Sequence, residues 1–158
     1  MKTATGSASS RDARGARPGE DSATAGSAGQ HALRTLSAAE CFDLLEAGGV
    51  GRVGFAAADG IMMLPVNFAV TRKSIVFRTA PDTLLAVYAD GRVSFQADHL
   101  DEVSHAGWSV LVHGRAHKVT DEHEVKQLEG RTQLEPWAAG PRDVYVRITP
   151  TRISGRRI

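Results

Sequence analysis

The chain holds a single cysteine, Cys41, so an intramolecular disulfide framework is excluded and a reducing compartment fits. Cys41 lies in a helical pattern beside Phe42 and Leu44, and it reads as a small buried hydrophobe rather than a nucleophile. Nowhere do about 18 apolar residues run together, so no segment is expected to span a membrane. The N-terminal stretch lacks the apolar middle region of a secretory signal, which makes the cytoplasm the expected location. Charge of one sign is also missing: the formal net charge is +1, which implies neither nucleic acid nor an anionic membrane as a partner. No serine stands in a nucleophile elbow and no glycine-rich phosphate loop occurs, so hydrolysis of esters or nucleotides has no support.

What is present is 158 residues, 42 % hydrophobic and 23 % charged, enough for one domain with a real core. Residues 1–32 stand apart. They are Ala, Gly, Ser, Thr and Arg with hardly an apolar side chain, and cannot bury enough surface to offset their ordering entropy. A disordered tail is expected there. Arg11, Arg14 and Arg17 would suit a basic arm, but Asp12, Glu20 and Asp21 offset them. The folded domain is expected over residues 33–158.

Structure is expected to begin near Leu36. Ser37 and Glu40 have capping-box spacing, an apolar stripe follows at Cys41, Leu44 and Leu45, and Gly48-Gly49 ends the helix. In residues 50–57, Val53 and Phe55 alternate with Arg52 and Gly54, and Asp59-Gly60 signals a hairpin. Residues 83–89 read as a short helix with Leu84, Leu85 and Tyr88 on one face. A strand opens at Gly91, with Val93, Phe95 and Ala97 against Arg92, Ser94, Gln96 and Asp98. Residues 99–106 read as a polar loop, and residues 107–119 as a long strand with a bulge at Gly114. Thr120-Asp121 caps a further helix to about Leu128. A loop holding Pro136, Gly140 and Pro141 precedes a strand over 143–148, a turn at Pro150 and a basic end. The expected class is mainly β with short helices (α+β). Short meandering strands of this kind close into a small antiparallel barrel.

Residues 61–85 carry the chemistry. Along the first strand Met62, Leu64, Val66, Phe68 and Val70 share one face, and Pro65 and Asn67 the other. Proline has no N–H for a ladder, so this strand is expected at an edge or bulge, with backbone groups left to meet something other than a strand. The next strand ends in Arg78 and Thr79, and Pro81-Asp82-Thr83 starts a helix. An arginine, two hydroxyls and a helix start suit a phosphate, although Asp82 opposes one and a solvated Arg78 is the plain alternative. Together they suggest a phosphorylated cofactor. Metal is weakly supported. His113 and His117 share a strand face but lie roughly 13 Å apart. His99 and His105 sit near Asp98, Asp101 and Glu102 without a recognised ligand spacing. Trp108 and Trp137 read as core or interface residues, with pocket lining the alternative for Trp108.

Six segments in this order resemble the pyridoxamine 5′-phosphate oxidase-like flavoproteins, the FMN-binding split-barrel family, in its short actinobacterial type. They are GRVGF (51–55), LPVNFAV (64–70), VFRTAPDTLL (76–85), VSFQAD (93–98), GWSVLVHGRA (107–116) and VRITPTRISGRR (146–157). The resemblance implies an antiparallel six-stranded split β-barrel and a homodimer with two FMN sites at the subunit interface. It places Leu64, Pro65, Val66, Asn67 and Phe68 along the flavin ring. Arg78, Thr79 and Thr83 would hold the phosphate, Trp108 and Ser109 would approach the ring, and Arg156 would reach the partner's flavin. The sequence departs from the pattern at Leu84 and Leu85, where many relatives carry a lysine or arginine. That departure admits a deazaflavin cofactor in place of FMN. Haem, with no histidine at an evident ligand position, ranks behind both. The implied activity is flavin-mediated redox of a small molecule, and the alternative is a non-catalytic flavin or deazaflavin carrier or stress-related protein.

Overall fold

The computed structural model describes residues 32–88, 90–132, 134 and 140–158. The expected tail, save Ala32, and the loop residues Pro136 and Trp137 lie outside them.

Ser37 starts the first helix, α1 (Ala38–Leu45), through a complete capping box. Its Oγ accepts from the Glu40 N–H at 3.3 Å, and the Glu40 carboxylate accepts from the Ser37 N–H at 2.8 Å. Arg34 adds an ion pair at 2.6 Å. The Ser37 backbone hydrogen bond, then Arg34, hold the Glu40 carboxyl down at about 2. The helix buries Cys41 and Leu45 and gives way at Gly48, whose φ of +66° only glycine adopts freely.

Seven strands follow the alternation in the sequence: β1 (Arg34–Leu36), β2 (Gly49–Ala57), β3 (Gly60–Thr71), β4 (Ser74–Thr79), β5 (Gly91–Asp101), β6 (Ala106–Lys118) and β7 (Val144–Arg157). The one-turn α2 (Leu84–Val87) and α3 (Glu122–Arg131) complete the fold. All ladders are antiparallel, in the order β1-β7-β4-β3-β2-β5-β6, and a β6–β7 ladder returns the circuit to its start. Six strands thus form the ring, and β1 is an appendage on the end of β7. This is the expected split barrel. Two of its seams are short. β2 meets β5 only over Arg52–Gly54 against Ser94–Gln96, and β3 meets β4 only from Phe68 to Thr71.

Inside the ring, Val53, Phe55, Val66, Phe68, Ile75, Phe77, Phe95, Val110, Val112, Val146 and Ile148 form the main core. Phe68 meets Phe95 edge-on at 4.8 Å. A second cluster lies outside the ring, where Leu128 and Val125 of α3 pack with Val119 and Leu134 on Val76, Ala69 and Tyr145. α3 therefore seals the outer face of β4 and β7. Among the described residues no helix covers the outer face of β2, β5 and β6.

Four expectations change. The turn at Pro150 is a bulge within one continuous strand: Gly114 faces Pro150, His113 faces Arg152, and Thr151 is the extra residue. A proline is tolerated there because the ladder is already interrupted. The irregularity expected at Gly114 is thus present between His113 and Gly114, with the extra residue on the β7 side. His99 belongs to β5, because the β5–β6 ladder persists to Asp101–Ala106. Leu84 leaves the buried face of α2 and is 47 % exposed, whereas Leu85 is buried and Tyr88 stacks on Phe55 at 5.1 Å. β1 was not expected, since three residues are too few to show a period.

Candidate functional site

β3 is held on both sides only at Phe68; residues 69–71 pair with β4 alone. Over residues 60–67 it pairs with β2 alone, Arg52 facing Pro65 and Gly51 facing Val66. Pro65 therefore costs no hydrogen bond on its other side, as its missing N–H requires. Val66 and Phe68 point into the core with Leu64 half-buried beside them, while Pro65 is exposed and Asn67 half-buried on the outside. An open strand edge with a rigid outer surface is what a flat ligand could lie against.

At the end of β4 the polar groups are already committed. Thr83 caps α2: its hydroxyl donates to the Ala80 carbonyl at 2.9 Å and accepts from the Ala86 N–H at 3.2 Å. Its one proton being used, Thr79 must be the donor in their 2.6 Å contact. Thr79 is fully buried. Arg78, one residue earlier, projects to the opposite face. Its Nε donates to the Arg142 carbonyl at 2.8 Å, its guanidinium lies 5.2 Å over the Tyr145 ring, and Asp143 stands 3.8 Å from Nη2. Burial pushes the Tyr145 hydroxyl pKa up despite that neighbour. The structure thus joins Thr79 to Thr83 and sets Arg78 apart from both.

Trp108, Ser109 and Arg156 form a third group. Ser109 faces Arg156 across the β6–β7 ladder, and Arg156 faces Thr35 on its other side. Trp108 packs against the main core and lines a cavity of about 540 Å³ with Phe68, Asp98, His99, Asp43 and Leu44. Trp108 and the end of the β3 segment therefore share a cavity. The β4 residues do not join them. Arg78 faces Tyr145 at the start of β7, whereas Ser109 faces Arg156 near its end, roughly 35 Å along a straight strand.

A larger concavity, about 640 Å³, was not singled out in the sequence. It lies on the uncovered outer face, between Ile61, Met63 and Ala56 on one side and Arg92, His113 and Arg152 on the other. Ser94 Oγ and His113 Nδ1 are hydrogen-bonded at 3.0 Å. Strict alternation in β5 and β6 is the sequence signal for Arg92, Ser94, His113 and Arg115 sharing that face. Their neighbourhood with β3 needed the fold.

The architecture defines a small split-barrel protein with an open strand edge beside concave surfaces. Residues 37–157 match the family model described as pyridoxamine 5′-phosphate oxidase, and the chain belongs to that family. It is 34 % identical over 125 residues to the Mycobacterium tuberculosis protein Rv0080, covering 75 % of this chain and 81 % of that one. It is similar to the structure of the FAD binding protein from Mycobacterium smegmatis, at 34 % identity and TM-score 0.63, covering 80 % and 99 % of the two chains. A FAD-binding protein from Mesorhizobium loti matches at 29 % identity and TM-score 0.64, covering 80 % and 96 %. No helix among the described residues is long and apolar enough to cross a membrane.

Proposed function

We propose that two copies of this chain hold a flavin nucleotide between them, FMN being the form the residues suggest, and use it for redox chemistry on a small molecule. The observation that carries this is the half-paired β3: among the described residues its edge beside Pro65 pairs with no second strand, within a family whose similar structures include FAD-binding proteins. Residues 64–68 would lie along the ring. Arg78 gives Nε to the Arg142 carbonyl and holds Nη2 only in a 3.8 Å pair with the exposed Asp143, which leaves Nη1 for a phosphate, and so it fits that group. Thr79 fixes Thr83 and thereby the start of α2, a positioning role. Trp108, Ser109 and Arg156 lie far along β7 from Arg78, so a second copy is the simplest way to bring both groups to one ligand. When bound, the flavin would supply the redox chemistry, and the chain would bind and orient it.

Purified protein should be yellow or turn yellow on adding FMN, with the bands of an oxidised flavin. Absence of uptake at tens of micromolar FMN or FAD would defeat the reading and favour a deazaflavin, which Leu84 and Leu85 at the phosphate end already admit. Ligand should stabilise the dimer by mass action, and a monomer binding one flavin tightly per chain in sedimentation would rule out the shared site. Deletion of residues 1–32 should leave both properties intact. Steady-state oxidation of a reduced nicotinamide or deazaflavin separates an oxidoreductase from a flavin carrier.

A further inference from the structure

The outer face of β5, β6 and β7 carries cations that have no partner among the described residues. Arg92 and Arg115 stand directly opposite each other across the β5–β6 ladder, and Arg152 stands opposite His113 across β6–β7. Like charges so placed repel. None of the three arginines makes an ion pair or side-chain hydrogen bond within the described residues. The one acid on the neighbouring part of this face, Asp98, is taken by Arg52 at 3.3 Å. Asp59 and Asp90, in the turns nearby, pair with none of them.

Across the trough from these cations the surface is apolar. Ile61 is 83 % exposed and Met63 60 %, both on the open half of β3. Large aliphatic side chains in water beside unpaired guanidiniums make a two-sided environment, within a volume suited to a small molecule, about 300–1,000 Å³. The floor is Gly54, where an added Cβ would meet nothing closer than 3.7 Å.

We infer that this trough is a binding site for an organic carboxylate with a flat apolar body, its anionic group held by Arg92 and Arg152 and its body on Met63 and Ile61. Charge complementarity selects the anion, and guanidinium forks match a carboxylate in two-point geometry. His113, fixed by Ser94, offers its second ring nitrogen to the same group. The trough adjoins the β3 segment assigned above to the flavin ring, so such a ligand would be the redox substrate. That last role rests on the flavin reading; the recognition of the anion does not.

The test uses the full-length protein with 2-naphthoate and its neutral counterpart 2-naphthamide as probes, titrated by calorimetry with and without FMN. Naphthoate should bind at least tenfold more tightly than naphthamide. Arg92→Gln with Arg152→Gln should remove that preference and leave naphthamide unchanged. Gly54→Val should weaken both probes tenfold or more by filling the floor, with the melting temperature kept, while flavin uptake read by absorbance stays as in the parent. No binding, equal affinity for the two probes, or indifference to all three substitutions would overturn the inference, including the case where a second copy covers the trough. Naphthoate bound as expected with no flavin taken up would sink the flavin reading and leave this site standing.

Discussion

The barrel has two outer faces, and the chain treats them oppositely. On β4 and the first half of β7 the outward side chains of Val76, Arg78, Tyr145 and Arg147 meet partners within the chain. Val76 and Tyr145 lie under Leu128 of α3, Arg147 pairs with Glu124, and Arg78 is bound to the Arg142 carbonyl over the Tyr145 ring. On β2, β5 and β6 one end is balanced by Arg52, Gln96 and Asp98. The other end leaves Ile61 and Met63 in water and Arg92, Arg115 and Arg152 unpaired among the described residues. A face whose groups are satisfied internally contributes stability. A face that leaves aliphatic surface and like charges unsatisfied is less stable than it need be, and residues kept in that state point to a ligand or partner.

The largest expected effect separates the faces by packing. Leu128→Ala should cost about 2–5 kcal/mol of folding stability, because a buried leucine leaves a cavity between α3 and the sheet. Leu111→Ala on the open face, where the side chain is 37 % exposed, should change it by no more than about 0.5 kcal/mol. Denaturant melts of both variants decide it. Equal costs would mean that the open face is packed against something in solution, and the comparison would fail.

The two faces also differ in how far the sequence reveals them. Alternation is local, so the strands, the inward sets Val53/Phe55 and Val93/Phe95/Ala97, the Ser37–Glu40 cap and the edge placement of Pro65 were legible before folding. So was the family pattern. Partnering across the sheet was not. Arg78, Thr79 and Thr83 are close in sequence and looked like one polar cluster, but strand geometry sends Arg78 to one face and the Thr79–Thr83 pair to the other. Conversely, Met63, Arg92, His113 and Arg152 lie on four strands, and only ladder register brings them to one trough. Pro150 looked like a turn because its neighbour across the sheet, Gly114, was invisible.

Arg78 is the residue that would break the division, because it lies on the sealed face and yet is assigned to the phosphate. Arg78→Ala should weaken FMN by about 1.5–3 kcal/mol and riboflavin, which has no phosphate, far less. Stability without ligand should fall by about 1 kcal/mol from the lost Arg142 and Tyr145 contacts. Equal losses for the two flavins would make Arg78 purely a part of the seal. Leu84→Lys should strengthen FMN selectively, since Leu84 is exposed beside the start of α2.

The start of α1 provides a control, since Glu40 is exposed yet fully partnered by Ser37 and Arg34. Its carboxyl is lowered from 4.5 to about 2 in the folded chain. A depressed folded pKa means that its stabilising contribution is complete above about pH 4.5 and disappears as the pH falls towards 2. The difference in melting temperature between the parent and Glu40→Gln should therefore be constant near neutrality and shrink across that window. A difference independent of pH would show that the cap acts through shape alone, and that partnering without burial does not count.

The smallest effect has the opposite sign and bears most directly on the open face. Arg92 and Arg115 face each other with no acid between them, so removing either charge should relieve repulsion rather than lose a contact. Arg92→Gln, Arg115→Gln and the double variant should each be more stable than the parent at low salt, by up to about 0.5 kcal/mol. The coupling in the double-mutant cycle should show that the second removal gains less than the first. Because both side chains are exposed, raising the salt to about 1 M shortens the screening length to roughly 3 Å and should erase the gain. A bound carboxylate should do the same without salt, because it supplies the missing counter-charge; the parent, not the variants, would then gain stability on adding 2-naphthoate. Variants that are less stable at every salt concentration would mean that the guanidinium stems pack on the sheet, and that the cations on this face are as settled as those on the other.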